Sequence, residues 1–198
     1  MILDEAKHAV IKVGAGRGFV VESKRGRLVV TAAHCLPRFP RRASVSHSAE
    51  PTYNALLGPL GKEASVSTEC LFADPISDIA VLGGPDSQQL PEQAEHYDAL
   101  MAMVTALPIS DTPKRAAGWL LSLDGRWNRC EVRHNDGPLW LFHVREGIVS
   151  GMSGSPILSE DRAAIGVVCA GGGTPGETHT DGGPNARLVY NLPTWVLK

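Results

Sequence analysis

Gly147-Ile-Val-Ser-Gly-Met-Ser-Gly-Ser-Pro-Ile157 crowds glycines and serines into one short run before the chain turns apolar. The backbone there has to bend tightly before a strand begins, and Ser153 sits at the centre of the bend, with its hydroxyl held out from any ladder. Glycine at 151 and 154 allows a ligand to approach the peptide N–H groups closely. Gly-X-Ser-Gly fits a nucleophile beside an oxyanion pocket, and it equally fits a plain Gly/Ser turn between strands. The rest of the chain has to decide between them.

Outward from that stretch the composition is that of a globular, β-rich protein. The 198 residues are 43% hydrophobic, enough for a sizeable core, and the 21 glycines and 14 prolines punctuate many short Val/Leu/Ile runs. Nineteen basic and 21 acidic residues give a net charge of −2 without a charged block, so neither a nucleic-acid nor a membrane-surface partner is expected. No apolar run reaches the roughly 20 residues that span a bilayer. The charged opening Met1-Ile-Leu-Asp-Glu-Ala-Lys-His8 does not read as a secretory signal, so a cytoplasmic location is expected. Cys35, Cys70, Cys130 and Cys169 lack C-x-x-C spacing, which predicts free buried thiols and no metal site.

The predicted strands of the first half are Ala9–Val13, Phe19–Ser23, Arg27–Thr31, Ala43–His47, Ser65–Phe72 and Ile79–Leu82, with a glycine turn over 14–18. Ala32–Leu36 reads as one helical turn that presents His34 at a strand end. The basic loop with Arg38, Arg41 and Arg42 reads as a solvated face. Gly83 to about Tyr97 reads as a linker, with a turn or two of helix near Pro91 to Met101 and strand resuming over Ala99 to Thr105.

In the second half, Ala117–Leu123 and Arg126–Arg133 flank Asp124-Gly125, a strong hairpin signal. Strands follow at Pro138–Val144, Pro156–Leu158, Ala163–Ala170 and Ala186–Leu192. Gly171 to Asn185 reads as a long glycine-rich loop, and Pro193 to Lys198 as the start of a short helix. Two sets of similar strand count predict an all-β fold: two six-stranded antiparallel barrels side by side, over residues 1–95 and 96–198, with the active site between them.

Three segments then line up in the order His, Asp, Ser: Thr31-Ala-Ala-His34-Cys35, Ser77-Asp78-Ile-Ala-Val-Leu82 and Gly151-Met-Ser153-Gly-Ser-Pro156. In motif order and context the chain resembles the trypsin-like, chymotrypsin-fold serine peptidases, and the resemblance runs from the first hairpin to Trp195. It implies a serine endopeptidase acting on protein or peptide substrates without cofactor or metal. By that resemblance His34 is the base, Asp78 orients it, Ser153 attacks, and the N–H groups of Gly151 and Ser153 form the oxyanion hole. The chain order excludes the α/β-hydrolase esterases, in which histidine follows serine. His47, His134 and His143 lack a partner motif, and Asp74 reads as a turn former ahead of Pro75.

The departures from the family pattern are informative. Met152 stands where secreted members carry the aspartate that pairs with a new N-terminal amine, and no Ile-Val-Gly-Gly start is present, so that mode of activation is not expected. Cys35 follows the histidine as in disulfide-bearing relatives, yet the facing strand from Arg17 to Val20 has no cysteine. Serine at 155 replaces the commoner glycine. The resemblance puts the base of the specificity pocket at Gly147 and Ile148 and its far wall at Cys169, Ala170 and Gly171, with Leu188 and Val189. With no acid at the base, the expected preference is a small or medium apolar residue before the cut. The intracellular members resemble this chain most, and they imply an alternative: a latent or regulatory module, silent until a sensor domain or partner orders the turn, or a binding module without activity.

Overall fold

The computed structural model describes residues 3–39, 52–169 and 180–197. A short helix α1 (Leu3–Lys7) precedes six strands: β1 (Val10–Val13), β2 (Gly16–Ser23), β3 (Gly26–Ala32), β4 (Thr52–Pro59), β5 (Val66–Asp74) and β6 (Ile79–Gly83). They close an antiparallel barrel in the order β1-β2-β3-β6-β5-β4. Helix α2 (Pro91–Met103) leads to a second set: β7 (Arg115–Leu121), β8 (Trp127–Arg133), β9 (Leu139–Phe142), β10 (Pro156–Ser159), β11 (Ala164–Val167) and β12 (Gly182–Arg187). These close in the order β10-β11-β12-β9-β8-β7, followed by α3 (Leu188–Asn191) and α4 (Thr194–Leu197). The expected double barrel with a short C-terminal helix is therefore the observed architecture.

Turn chemistry sets the registers. In the β2–β3 hairpin Ser23 pairs with Gly26, whose φ of 93° is costly for any residue with a Cβ. In the β7–β8 hairpin Gly125 takes φ 82° behind Asp124, which fixes Leu121 opposite Trp127. A slip of one residue in either hairpin would turn the barrel's inward-facing side chains to solvent.

The core is continuous between the barrels. One cluster joins Phe19, Val30 and Leu82 of the first barrel to Leu121, Leu158 and Val167 of the second, and another fills the second barrel around Leu120, Leu141 and Ile157. The segment between α2 and β7 stitches the two together: Leu107 N–H donates to Val20 O at 2.8 Å, and Ala164 N–H donates to Pro108 O at 2.8 Å.

Several local expectations are corrected. The glycine turn is only two residues long, since β2 already begins at Gly16. Thr52–Pro59, outside the expected strands, is a strand; a bulge with Ala55 at φ 50° and a tight approach at Gly58 break its periodicity. The expected strand Ala43–His47 lies outside the described residues. Ala99 to Met103 is helical rather than extended, because Ala94, Tyr97, Leu100 and Met101 share one buried helical face on the first barrel. Gly182–Asn185 belongs to β12 instead of a loop. The chain leaves the sheet after Arg187, where Asn191 Oδ1 accepts the Arg187 N–H at 2.9 Å and ends the ladder.

Candidate active site

Register brings His34 and Asp78 together. Ala32, the last residue of β3, pairs with Ile79, the first of β6. Asp78 thus stands just before one strand and the short 3₁₀ turn Ala33–Cys35 just after the other. Asp78 O accepts the Ala33 N–H at 3.1 Å, and Asp78 Oδ1 accepts the His34 N–H at 2.9 Å. Its other oxygen, Oδ2, lies 2.6 Å from His34 Nδ1. One carboxylate grips both the main chain and the ring, so the ring's orientation is fixed while the side chain stays about half exposed. This hydrogen bond raises the His34 pKa above its ordinary value, burial opposes the rise, and the charge on Asp78 adds to it.

The loop that carries Asp78 is held from both sides. Asp74 Oδ1 accepts the Ile76 N–H at 2.9 Å, the turn-forming role expected of it. Asp78 itself takes φ 53°, a conformation that needs support from its surroundings. The second barrel supplies it: Asn191 Nδ2 donates to Ser77 Oγ at 2.6 Å, and the Cys169 thiol lies 3.2 Å from Asp78 O. Cys169, expected as pocket wall, also accepts the Ala186 N–H, and its sulfur is turned toward the acid loop.

The Ser153 turn is closed by its own backbone. Met152 N–H donates to Val149 O, Ser155 N–H to Met152 O, and Gly154 N–H to Val168 O at 2.8 Å. Among the described residues no acceptor takes the N–H groups of Gly151 and Ser153, the two expected oxyanion donors. Gly147, Gly151 and Gly154 all have positive φ, so the glycines flagged in the sequence are conformationally required. Met152 is 1% exposed and packs with Leu120, Ile157 and Val168, while its sulfur accepts the Val149 N–H. Where secreted members of the resembled family use an ion pair, this turn is anchored by an apolar side chain whose burial is worth about 1.5–3 kcal/mol.

Contacts through the backbone seat Ser153 against the first barrel. Ser153 O accepts the Arg17 N–H at 2.8 Å. A Cβ at Gly16 would come within 2.7 Å of Ser153 O and 2.6 Å of Cys35 Sγ, so this glycine lets the Ser153 turn lie against the residue next to His34. Gly154 is tighter still, since its Cβ would fall 1.8 Å from Arg17 O and 2.6 Å from Thr31 Oγ1. Gly154→Ala is expected to cost about 3 kcal/mol or more, from left-handed backbone strain and steric overlap together, read as a lower urea midpoint at unchanged slope.

The remaining expected pocket residues are placed in part. Gly147 donates its N–H to Val144 O, and Ile148 is buried in the second-barrel core. Ala170 and Gly171 lie outside the described residues. A groove of about 290 Å³ opens beside Gly151, lined also by Lys12, Arg17, Leu60 and Lys62. The larger cavity of about 640 Å³ lies between β3 and α2, around Arg27 and Tyr97, and touches none of the three candidate residues. None of the four cysteines is in a disulfide, and all four are buried. Among the described residues no helix is long and apolar enough to cross a membrane, and no cluster of side chains could hold a metal ion.

Arg17 carries no motif that marks it as part of a site. It is 5% exposed, and its guanidinium reaches the carbonyls of Leu121, Ser122 and Leu123 in the other barrel. In the sequence it stands between Gly16 and Gly18, a setting that reads as part of a turn.

A family model described as a trypsin-like peptidase domain matches residues 16–167. No curated protein matches the chain significantly. Among solved structures, the human pathogenic astrovirus serine protease aligns over 94% of this chain and 94% of its own, at 16% identity and a TM-score of 0.55. The MamO protease domain from Magnetospirillum magneticum aligns over 97% and 100%, at 14% identity and a TM-score of 0.59. A chain from a Sesbania mosaic virus structure concerned with coupled folding and binding of the VPg protein covers 92% and 87%, at 16% identity and a TM-score of 0.58. At such identities the similarity establishes the fold.

Proposed function

The chain belongs to the trypsin-like peptidase domain family, and from that membership we propose that it is a serine endopeptidase that cuts protein substrates through His34, Asp78 and Ser153. The observation that carries the reading is the double grip of Asp78 on His34, at 2.9 Å on the main chain and 2.6 Å on the ring. A half-exposed histidine whose Nδ1 is gripped by a carboxylate is held in the tautomer that a general base needs.

In this reaction Ser153 Oγ attacks the substrate carbonyl carbon while His34 Nε2 takes the hydroxyl proton. The charge that develops on the carbonyl oxygen is met by the N–H groups of Gly151 and Ser153, each such donor being worth roughly 3 kcal/mol. The peptide C–N bond then breaks as His34 protonates the departing amine, leaving a Ser153 ester. Water, deprotonated by His34, hydrolyses that ester and restores the hydroxyl. The chemistry uses no metal or cofactor. The resemblance places the pocket base at Gly147, where no acid stands to bind arginine or lysine, so a small or medium apolar residue is selected before the cut. Free thiols at all four cysteines fit a reducing, cytoplasmic setting. The latent alternative is less well supported, since the Ser153 turn is already closed by its own hydrogen bonds.

A fluorophosphonate probe applied to the purified chain tests the reading. One adduct, mapped to Ser153 and lost when His34 is replaced by alanine, is the expected result. An unmodified Ser153 after prolonged exposure, with an unstructured protein left uncut, would overturn it.

A further inference from the structure

Arg17 is almost fully buried, at 5% exposure, an unusual place for a guanidinium. Nη1 donates to Leu121 O and Ser122 O, each at 3.0 Å, and Nη2 donates to Leu123 O at 3.2 Å. These carbonyls belong to the end of β7 and the tip of its hairpin, in the opposite barrel. The charge is met by neutral carbonyls, with Asp124 close enough to contribute a favourable field. For stability alone, an apolar side chain of similar volume would do as well at such a site. Retaining a buried charge here points to a geometric task.

The backbone of the same residue shows what that task is. Its N–H donates to Ser153 O at 2.8 Å, and its carbonyl accepts the Thr31 hydroxyl at 2.6 Å, from the strand that leads into His34. Its carbonyl also abuts Gly154, and the Leu123 side chain lies 3.5 Å from where a Cβ at Gly151 would be. Arg17 therefore touches the strand that leads into His34, Ser153 and Gly154 of the turn, and the hairpin whose Leu123 packs beside Gly151. None of the four cysteines is bridged, so no disulfide duplicates this link.

We propose that Arg17 is a positioning residue, a clamp between the barrels that fixes the Gly151–Ser153 turn relative to His34. The inference rests on the reading of Ser153 as nucleophile, but the clamp itself is a statement about the turn. Without the guanidinium, the β7–β8 hairpin loses its tie to β2 and the turn loses the wall behind Gly151. Although Arg17 borders the groove beside Gly151, its guanidinium is spent on the carbonyls of Leu121, Ser122 and Leu123, so substrate binding is expected to change little. Turnover falls, because a displacement of the reacting groups by about 1 Å can cost on the order of 10²-fold.

Two variants test this, Arg17→Met and the charge-retaining Arg17→Lys, with Arg129→Met as a control that removes only an exposed ion pair to Glu160. Amide hydrogen exchange is followed over 149–156 and over α2. In Arg17→Met the turn is expected to exchange on the order of tenfold faster while α2 is unchanged. On a peptide substrate kcat drops on the order of 10²-fold with KM held, and Arg17→Lys recovers part of both effects. Should Arg17→Met fail to fold, Arg17→Lys carries the same comparison at smaller amplitude. Unchanged exchange at 149–156, uniform acceleration across the chain, or a loss confined to KM would each overturn the clamp. If the wild-type chain takes no probe at Ser153, the peptidase reading fails, and exchange alone decides the clamp by the same criterion.

Discussion

Ser153→Ala is expected to lower turnover of an unstructured protein substrate by on the order of 10⁶-fold while leaving the melting temperature within a few degrees of wild type. The size follows from the cooperative nature of the group. Without the hydroxyl, the His34–Asp78 pair has no proton to accept and no acyl-enzyme to form, so base and orienting acid become idle together. What survives is the oxyanion pocket of Gly151 and residue 153, whose N–H groups belong to the backbone and persist in the variant. That residue of catalysis over water is about 10³–10⁴-fold. The fold is spared because the turn is held by Met152, Gly154 and Arg17, and none of the hydrogen bonds described for Ser153 uses its hydroxyl. Cleavage is measured by release of new N-termini at matched concentrations of the two proteins, with the fluorophosphonate adduct as a second readout. A variant that keeps more than about a hundredth of wild-type turnover, or that still takes the probe, would remove Ser153 from its role.

Much of this molecule was legible before any coordinates. Asp124-Gly125 announced the β7–β8 hairpin, two sets of similar strand count announced the double barrel, and the ordered His34, Asp78 and Ser153 segments carried the resemblance to trypsin-like peptidases. The pairing of Ala32 with Ile79 is the physical content of the first two motifs: a histidine two residues past one strand meets an acid one residue before its neighbour. The misreadings share a cause. Thr52–Pro59 carries a bulge and two turn formers, so its alternation is broken although its backbone is paired on both sides. Ala99 to Met103 looks extended in isolation, and only the spacing of Tyr97, Leu100 and Met101 against the barrel makes it helical. Local pattern reports what a segment prefers, and tertiary partners decide what it does.

Arg17 and Cys169 were illegible for a different reason. Their roles depend on contacts with residues about 90 to 105 positions away, Leu121 to Leu123 for one and Ser77 to Asp78 for the other. No periodicity or spacing encodes such contacts, and an arginine between two glycines reads as a turn. Met152 stands between the extremes. The sequence marked it as the departure from an acid-based switch, and burial at 1% adds that the replacement is a hydrophobic anchor.

Asp78→Asn is the second large effect, expected at on the order of 10⁴-fold in kcat, with KM nearly unchanged. The carboxylate accepts from two N–H groups at once, the His34 main chain at 2.9 Å and the ring Nδ1 at 2.6 Å. An asparagine can keep the first contact through its carbonyl oxygen. Its amide NH₂ then faces Nδ1, which must turn acceptor, and the ring proton moves to Nε2. That tautomer presents a donor to Ser153 where an acceptor is needed, so the base is lost with the geometry intact. The pH profile separates this cause from simple misfolding. In the wild type the hydrogen bond that the His34 ring donates to Asp78 raises the His34 pKa above its ordinary 6.5, burial opposes the rise, and the carboxylate charge reinforces it. Only neutral His34 can take the serine proton, so activity is low at acid pH, climbs through an inflection above pH 6.5 and then levels. In Asp78→Asn the two raising contributions vanish and burial remains, so the inflection moves to lower pH even as the plateau falls. A variant within tenfold of wild type, or one whose inflection moves upward, would show that Asp78 orients something other than a working base.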